Sequence, residues 1–434
     1  MPDIEAFRGI RYNVPKIGAL ADLVAPPYDV ISPRQQDQLY ERHPANVVRL
    51  ILNRQRASDD DERDNRYTRA AEHLRGWREQ GTLIEEDEPA LYVYHQVFDY
   101  AGQTFTRRGF MARMRLSPFG SGQVFPHEQT MPGPKMDRLM LMTTCRANLS
   151  QIFGLYPDPS NAAQAVLEES LGDAEPLESV DDLGVTHRMW PVTDQDAIAR
   201  VADMLAERPV FVADGHHRYE TACEYREHVR QVGGLTPDHP ANFVMTMLIA
   251  MEDPGLIVLP THRLFSGATP LTAEELSAKL GDCFTCNIAA EGAKMADEVW
   301  RQIERENDQG LIGLYTAADQ QWTLCRVTDL GRARLDGIAG DHNPEWRALG
   351  VSILHRLLIE DRLGQTELPK PKYVHLVEEV VEGLGSGDYP LAALVMPATV
   401  DDVRTLSLMG ERMPAKSTYF YPKLLSGLVI NPLE

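Results

Sequence analysis

Apolar positions recur along the chain with two spacings, near 3.6 residues and 2 residues, and the switches between them predict the elements. Ser32 is placed to cap a helix with Pro33 in its first turn, and residues 47–52 read as a strand. A polar, Arg-rich helix is predicted over 60–80, with Ala70, Ala71, Leu74 and Trp77 on one side and the acidic break 85–89 after it. Residues 91–99 and 105–116 are rich in aromatic and β-favouring residues and flank Ala101-Gly102-Gln103, which predicts a hairpin. Further helices are predicted at 138–147, 162–171, 195–207, 273–280, 293–305 and 346–363. The apolar runs 210–213, 243–251 and 391–396 read as buried strands, and 311–315 with 322–327 as a second hairpin. The elements mix without a fixed repeat, so the expected class is α+β, or mixed α/β.

A chain of 434 residues is long for one hydrophobic core. Breaks at 157–161, 265–270 and 383–390 suggest three regions: 1–156, 157–265 and 266–434. The net charge of -21 argues against nucleic acid or an anionic membrane as partner, while leaving room for a local basic pocket. The expected partner is a small molecule. Five scattered cysteines do not make a disulfide framework, which fits a reducing cytoplasm. Cys283 and Cys286 form a single C-x-x-C without the second ligand pair that a structural zinc needs. No start-of-chain segment joins a basic region to an apolar stretch, and the run 243–251 is too short to span a bilayer.

Residues 209–228 read PVFVADGHHRYETACEYREH. A strand running into Asp214-Gly215-His216-His217-Arg218 and then a helix is a turn loaded for anion binding. Gly215 permits close backbone approach, the first helical N–H groups point outward, and two histidines and an arginine add donors. One acid, Asp214, stands beside them, as phosphoryl transfer to a hydroxyl requires. The plainer reading is a capped helix with surface histidines.

Two more clusters carry polar chemistry. Residues 126–150 place His127, Glu128, Lys135, Asp137 and Arg138 around Pro132, Gly133 and Pro134, ahead of an apolar segment. Glu128 can serve as a base or a magnesium ligand there, and Lys135 or Arg138 can meet phosphate; a capped helix start with surface charges is the alternative. His127-Glu128 lacks the second histidine of H-E-x-x-H. In the tail, 410–417 read GERMPAKS, one residue short of a P-loop because Ala415 replaces its second glycine, and Pro414 removes a backbone donor. Lys416 and Lys423 remain phosphate ligand candidates, with an ordinary β-segment as the alternative. Asp29, in the rigid turn APPYDVI, and His262 with Arg263, at the end of the apolar run 256–259, complete the candidates.

The segments APPYDVI, PHEQT with PKMDRL and ANLSQIFGLY, FVADGHHRYETA, LPTHRL and MPAKSTYFYPKL, in that order, resemble the signature segments of a prokaryotic family known as domain of unknown function 1015. Within it, the Asp214–Arg218 turn is similar to the nucleotide-binding turn of the ParB/sulfiredoxin superfamily, which includes kinases of free L-serine. That resemblance implies a ParB/sulfiredoxin-like core, ATP or ADP with Mg2+, Asp214 acting on the acceptor hydroxyl, and His216, His217 and Arg218 on the nucleotide phosphates. Sulfiredoxins carry their reactive cysteine where this chain has His216, which disfavours reductase chemistry. The partition proteins bind DNA, against the acidic balance here. The serine kinases also use a glutamate, for which Glu128, Glu220 or Asp29 can stand, with Tyr219 as a supporting residue. The expectation is therefore a nucleotide-dependent phosphotransferase on a small hydroxylated metabolite, with a nucleotide hydrolase or other phosphate-ester enzyme, or a non-catalytic nucleotide sensor, as alternatives.

Overall fold

The alternation at 91–116 closes a long hairpin, Leu91–Tyr100 with Gln103–Arg115, around Ala101-Gly102, whose positive φ values suit a tight two-residue turn. The computed structural model describes residues 3–60, 63–121, 123–128 and 132–434, with Pro132 and Pro134 given by their backbone alone. Gln129 and Thr130 of the PHEQT segment lie outside the described residues. The chain groups into two units.

The first unit comprises residues 1–126, 130–257 and 422–434. The strands of its main sheet are β1 Ile4–Glu5, β2 Leu91–Tyr100, β3 Gln103–Arg115, β4 Val124–Pro126, β5 Ile152–Tyr156, β6 Leu177–Val180, β7 Thr186–Val192, β8 Val210–Asp214 and β9 Phe243–Ala250. They form one nine-stranded sheet in the order β4-β8-β5-β9-β3-β2-β7-β6, with β1 on β3. β8 is parallel to β4 and antiparallel to β5, and β5 is parallel to β9. β9 is buried throughout, which explains a run that is apolar but for Thr246. Leu167, Val201, Leu205, Val210, Tyr219 and Leu248 share its core. Because β5 ends at Tyr156 and pairs with both β8 and β9, the regions expected to divide at 157 share a sheet.

The second unit comprises residues 127–129 and 258–421. It holds an antiparallel six-stranded sheet of β10 His262–Phe265, β11 Phe284–Glu291, β12 Leu311–Thr316, β13 Gln321–Val327, β14 Lys372–Val374 and β15 Leu391–Leu394, in the order β11-β13-β12-β15-β10-β14. Helix Ala296–Glu306 lays Val299, Trp300 and Ile303 on it. The two units together are of the mixed α/β class that the pattern predicts. Among the described residues no helix is long and apolar enough to cross a membrane.

Four expectations need correction. Residues 47–52 are not a strand: Val48–Ile51 is a helical turn, because Asn46 anchors to Asp22 O and Val24 O while its side-chain oxygen accepts the N–H of Val48. The helix expected over 60–80 runs Arg66–Glu79, started by the Asn65/Thr68 capping box. The helix expected from 138 starts at Pro132, since prolines in a first turn give up only N–H groups that have no helical partner. The segment 346–363 breaks at Leu349, which is extended, and the Gly350 N–H goes to Gln309 Oε1 instead; a π-helical stretch, Ile353–Arg362, follows.

Candidate functional site

β8 delivers Asp214 through a register shift between Val212 and Asp214, a bulge of the kind that re-aims a side chain at a strand end. Gly215 follows at φ 91°, ψ 26°, as the N-cap of helix His216–Gln231. A Cβ at 215 would stand 3.0 Å from the Arg218 guanidinium carbon and press on that side chain, while the positive φ is what favours glycine here. Arg218, one turn into the helix, puts its Nη2 3.5 Å from Asp214 Oδ1, and its Nη1 donates to Gln151 O. From the other end of the chain, Lys423 places Nζ 2.7 Å from Asp214 Oδ2. The lone acid of the turn sits between two cations.

Lys423 is held there by its neighbours' carbonyls. Arg107 donates to Pro422 O, Gln96 Nε2 to Lys423 O at 3.0 Å, and Gln151 Nε2 to Leu425 O at 3.0 Å. Arg107 is fully buried, and burial lowers its guanidinium to about 10 while Asp214 and Asp253 favour the charged form. Gln96 Oε1 accepts from Arg107 Nε at 3.1 Å, so the tail rests on a buried polar pair in the centre of the sheet.

Beside Arg218 opens a small crevice of about 40 Å³ lined by Tyr28, Arg138, Arg218 and Ser150 with Leu141 and Val244 as apolar wall. The Arg138 guanidinium lies 3.8 Å from the Tyr28 ring centroid, donates to Ile51 O at 2.8 Å and pairs with Asp137. Burial raises the Tyr28 phenol. Burial would raise Asp137 as well, but Arg138, Tyr67 and Arg66 hold it low. Four signature segments of the sequence thus meet in one unit: APPYD through Tyr28, PKMDRL through Arg138, DGHHR through Asp214 and Arg218, and YPKL through Lys423.

Other candidates in this unit lie differently. Lys135 is on the helix rather than in a loop, and its ammonium is held between Glu224 at 2.8 Å and Glu220 at 3.1 Å, so its charge is already balanced; the Glu224 hydrogen bond raises its pKa against desolvation. Tyr219 is core: its hydroxyl bridges Ser117 N and O, and its ring stacks on Phe119. His216 is buried, His217 is half-buried and Asp29 is exposed.

The second unit gathers its own cluster. The His127 imidazole meets Thr418 Oγ1 at 3.0 Å and stands edge-on to Phe420, while the backbone of Met413 closes on His127 O. Glu128 Oε1 accepts the Lys416 N–H at 3.3 Å, and Lys416 takes a left-handed φ of 60°. Lys416 O accepts from Arg263, whose other partners, His355 Nε2 and Thr261 O, are also neutral. Burial lowers Arg263 to about 10 and His262 to about 3. His262 packs on Trp300 and takes part in the core rather than in an anion pocket. The extended Tyr419–Tyr421 strand after Ser417 leaves no helix for a P-loop, as the sequence implies.

A family model described as protein of unknown function, DUF1015, matches residues 4–352. The chain belongs to this family. No curated protein matches. Among solved structures, a mutant free serine kinase in complex with AMP is similar at 11% identity and a TM-score of 0.33, over 69% of this chain and 84% of that one. A conserved hypothetical protein from Pyrococcus furiosus is similar at 12% identity and a TM-score of 0.33, over 71% and 92%. SbnI with a C-terminal truncation, from Staphylococcus aureus, is similar at 10% identity and a TM-score of 0.31, over 72% and 84%.

In this DUF1015 chain the sequence reading singled out Asp29 of the APPYD turn, whereas Tyr28 is the residue in the crevice. Arg107 was missed altogether. A signal was present: period-2 alternation puts Arg107 on the face of Gly109 and Met111, both buried, where an unmatched charge calls for a reason. Gln151, which ties Arg218 to the tail, carries no such signal. Among the described residues no group of three His, Cys, Asp or Glu is placed to hold a metal ion.

Proposed function

We propose that the protein is a nucleotide-dependent phosphotransferase acting on a small hydroxylated metabolite, working through the turn around Gly215 as the ParB/sulfiredoxin resemblance implies. The observation that carries this reading is Asp214 held between Lys423 and Arg218 at the start of a helix. A fixed carboxylate can accept the hydrogen of an acceptor hydroxyl, while the adjacent cations and helix N-terminus stabilise charge on the transferred phosphoryl group.

The neighbouring crevice offers the anionic part of a nucleotide a set of donors: the guanidinium groups of Arg138 and Arg218 and the hydroxyls of Tyr28 and Ser150, over apolar walls. Arg138 and Arg218 would hold the anionic part, and His217 would approach it from the helix start. ATP or ADP would supply the phosphoryl group. Magnesium would come with it, since phosphate-bound magnesium needs few protein carboxylates.

Free L-serine is the first acceptor to test, on the likeness of the 214–218 turn to that of the serine kinases. Phosphorus NMR of the full chain with ATP or ADP, magnesium and L-serine distinguishes the outcomes. A phosphoserine resonance supports the proposal, inorganic phosphate without it points to hydrolysis, and nucleotide binding with neither product points to a sensor.

A further inference from the structure

The lone C-x-x-C does not pair with itself. Cys283 ends the one-turn helix Gly281–Cys283, while Cys286 lies in the ladder of strand Phe284–Glu291, directly opposite Cys325 on Gln321–Val327. The two sulfurs are 3.3 Å apart. Facing residues on antiparallel strands have Cα separations of about 4.5–5.5 Å, inside the 4.4–6.8 Å that disulfides span. No backbone rearrangement is therefore needed to close the bond; small side-chain rotations bring the sulfurs from 3.3 Å to bonding distance.

Their environments differ in the way an attacking and a resolving thiol differ. Cys286 is half-buried on the edge strand of the six-stranded sheet, two residues before a register shift at Ile288–Ala290, whereas Cys325 is fully buried. The hydrogen bond between the two sulfurs lowers the Cys286 thiol and, together with burial, raises that of Cys325. A reachable thiolate beside a protected thiol is the arrangement in which oxidation stops at the disulfide.

We propose that Cys286 and Cys325 form a reversible thiol–disulfide switch responsive to hydroperoxides. The Cys286 thiol loses its proton, and the thiolate attacks one peroxide oxygen, giving Cys286 sulfenic acid and hydroxide, which takes up that proton to form water. The Cys325 sulfur then attacks the Cys286 sulfur, the sulfenic oxygen leaves with the Cys325 proton as a second water, and the S–S bond forms. Two thiols and one hydrogen peroxide become one disulfide and two waters. A dithiol reductant reverses the step by exchange.

The test treats the full chain with hydrogen peroxide, traps remaining thiols by alkylation under denaturing conditions, and maps peptides by mass spectrometry. The expected result is the loss of two of the five free thiols, recovery of a 286–325 linked peptide from monomeric protein, and full restoration by dithiothreitol. Cys286→Ser, a change at the half-buried position, should leave Cys325 fully alkylatable after the same treatment. The proposal is overturned if Cys286 proceeds to sulfinic or sulfonic acid with Cys325 still a thiol, if Cys283 supplies the partner, or if all five thiols survive peroxide.

Discussion

Lys423 Nζ lies 2.7 Å from Asp214 Oδ2, 209 positions away in the sequence. This contact joins the end of the chain to the strand-to-helix turn in its middle and supplies one of the two cations that flank the only acid of the turn. Asp214 and Lys423 side chains are 22% and 19% exposed, so the pair is partly accessible while shielded enough for its charges to act strongly on a ligand.

Lys423→Met keeps the length of the side chain and removes its charge. Turnover should fall by about 10²-fold or more, the range seen when one preorganised electrostatic group is lost from a transition state, while the nucleotide dissociation constant changes less. Steady-state kinetics and calorimetry on the same variant separate the two; unaltered turnover would remove Lys423 from the chemistry.

Arg107 acts at a distance by holding the tail. Arg107→Met leaves Pro422 O and Gln96 Oε1 without their buried donor, at a cost of about 1–3 kcal/mol. Hydrogen exchange should then accelerate around Lys423–Leu425, and the Arg107→Met and Lys423→Met effects on turnover should be strongly non-additive. Additive losses would mean that Arg107 stabilises the sheet without positioning Lys423.

Gly215→Ala places a side chain at φ 91° and against the Arg218 guanidinium. We expect a destabilisation of about 1–2 kcal/mol, read as a lower thermal midpoint, together with weaker nucleotide binding from displacement of Arg218. An alanine variant as stable and as active as the parent would contradict the role given to this turn.

Much of this was legible beforehand. The strand-turn-helix at 210–231, both hairpins and the helices Ala162–Leu171 and Ala273–Leu280 follow from periodicity, caps and glycine alone. Local signals failed where a distant partner decides the outcome. Asn46 turned an apolar run into a helical turn by bonding to Asp22 and Val24, and Gln309 broke the helix at Leu349. The same holds at the site. Asp214, Arg218, Arg138 and Lys423 were recognisable as polar residues in unusual company, but their grouping depends on carbonyls of the tail that no sequence period encodes. Lys135 looked equally promising and is neutralised by Glu220 and Glu224, one and two helical turns on from the histidines.

Acid should weaken the second unit. His262 and His355 are held neutral by burial, with Arg263 adding repulsion, and their folded-state values fall from 6.5 to about 3. In unfolded chains they protonate near 6.5, so between about pH 6.5 and 3 the unfolded state binds more protons and stability falls as pH falls. Each histidine contributes up to about 1.4 kcal/mol per pH unit in that window. Denaturant unfolding at pH 7, 6 and 5 should show the decline, and His262→Gln should flatten it; a stability that is level from pH 7 to 5 would contradict the buried neutral pair.

The central claim is that Asp214 acts on the acceptor hydroxyl while its neighbours hold the nucleotide. The direct measurement compares Asp214→Asn with the parent in phosphoserine formation and in nucleotide binding, on the same preparation. The account predicts that turnover falls by about 10³-fold, within the range for loss of a positioned acid-base group, with the nucleotide dissociation constant changed by less than about tenfold. An Asp214→Asn protein that forms product at the parental rate, or a parent chain that binds no nucleotide, would contradict it.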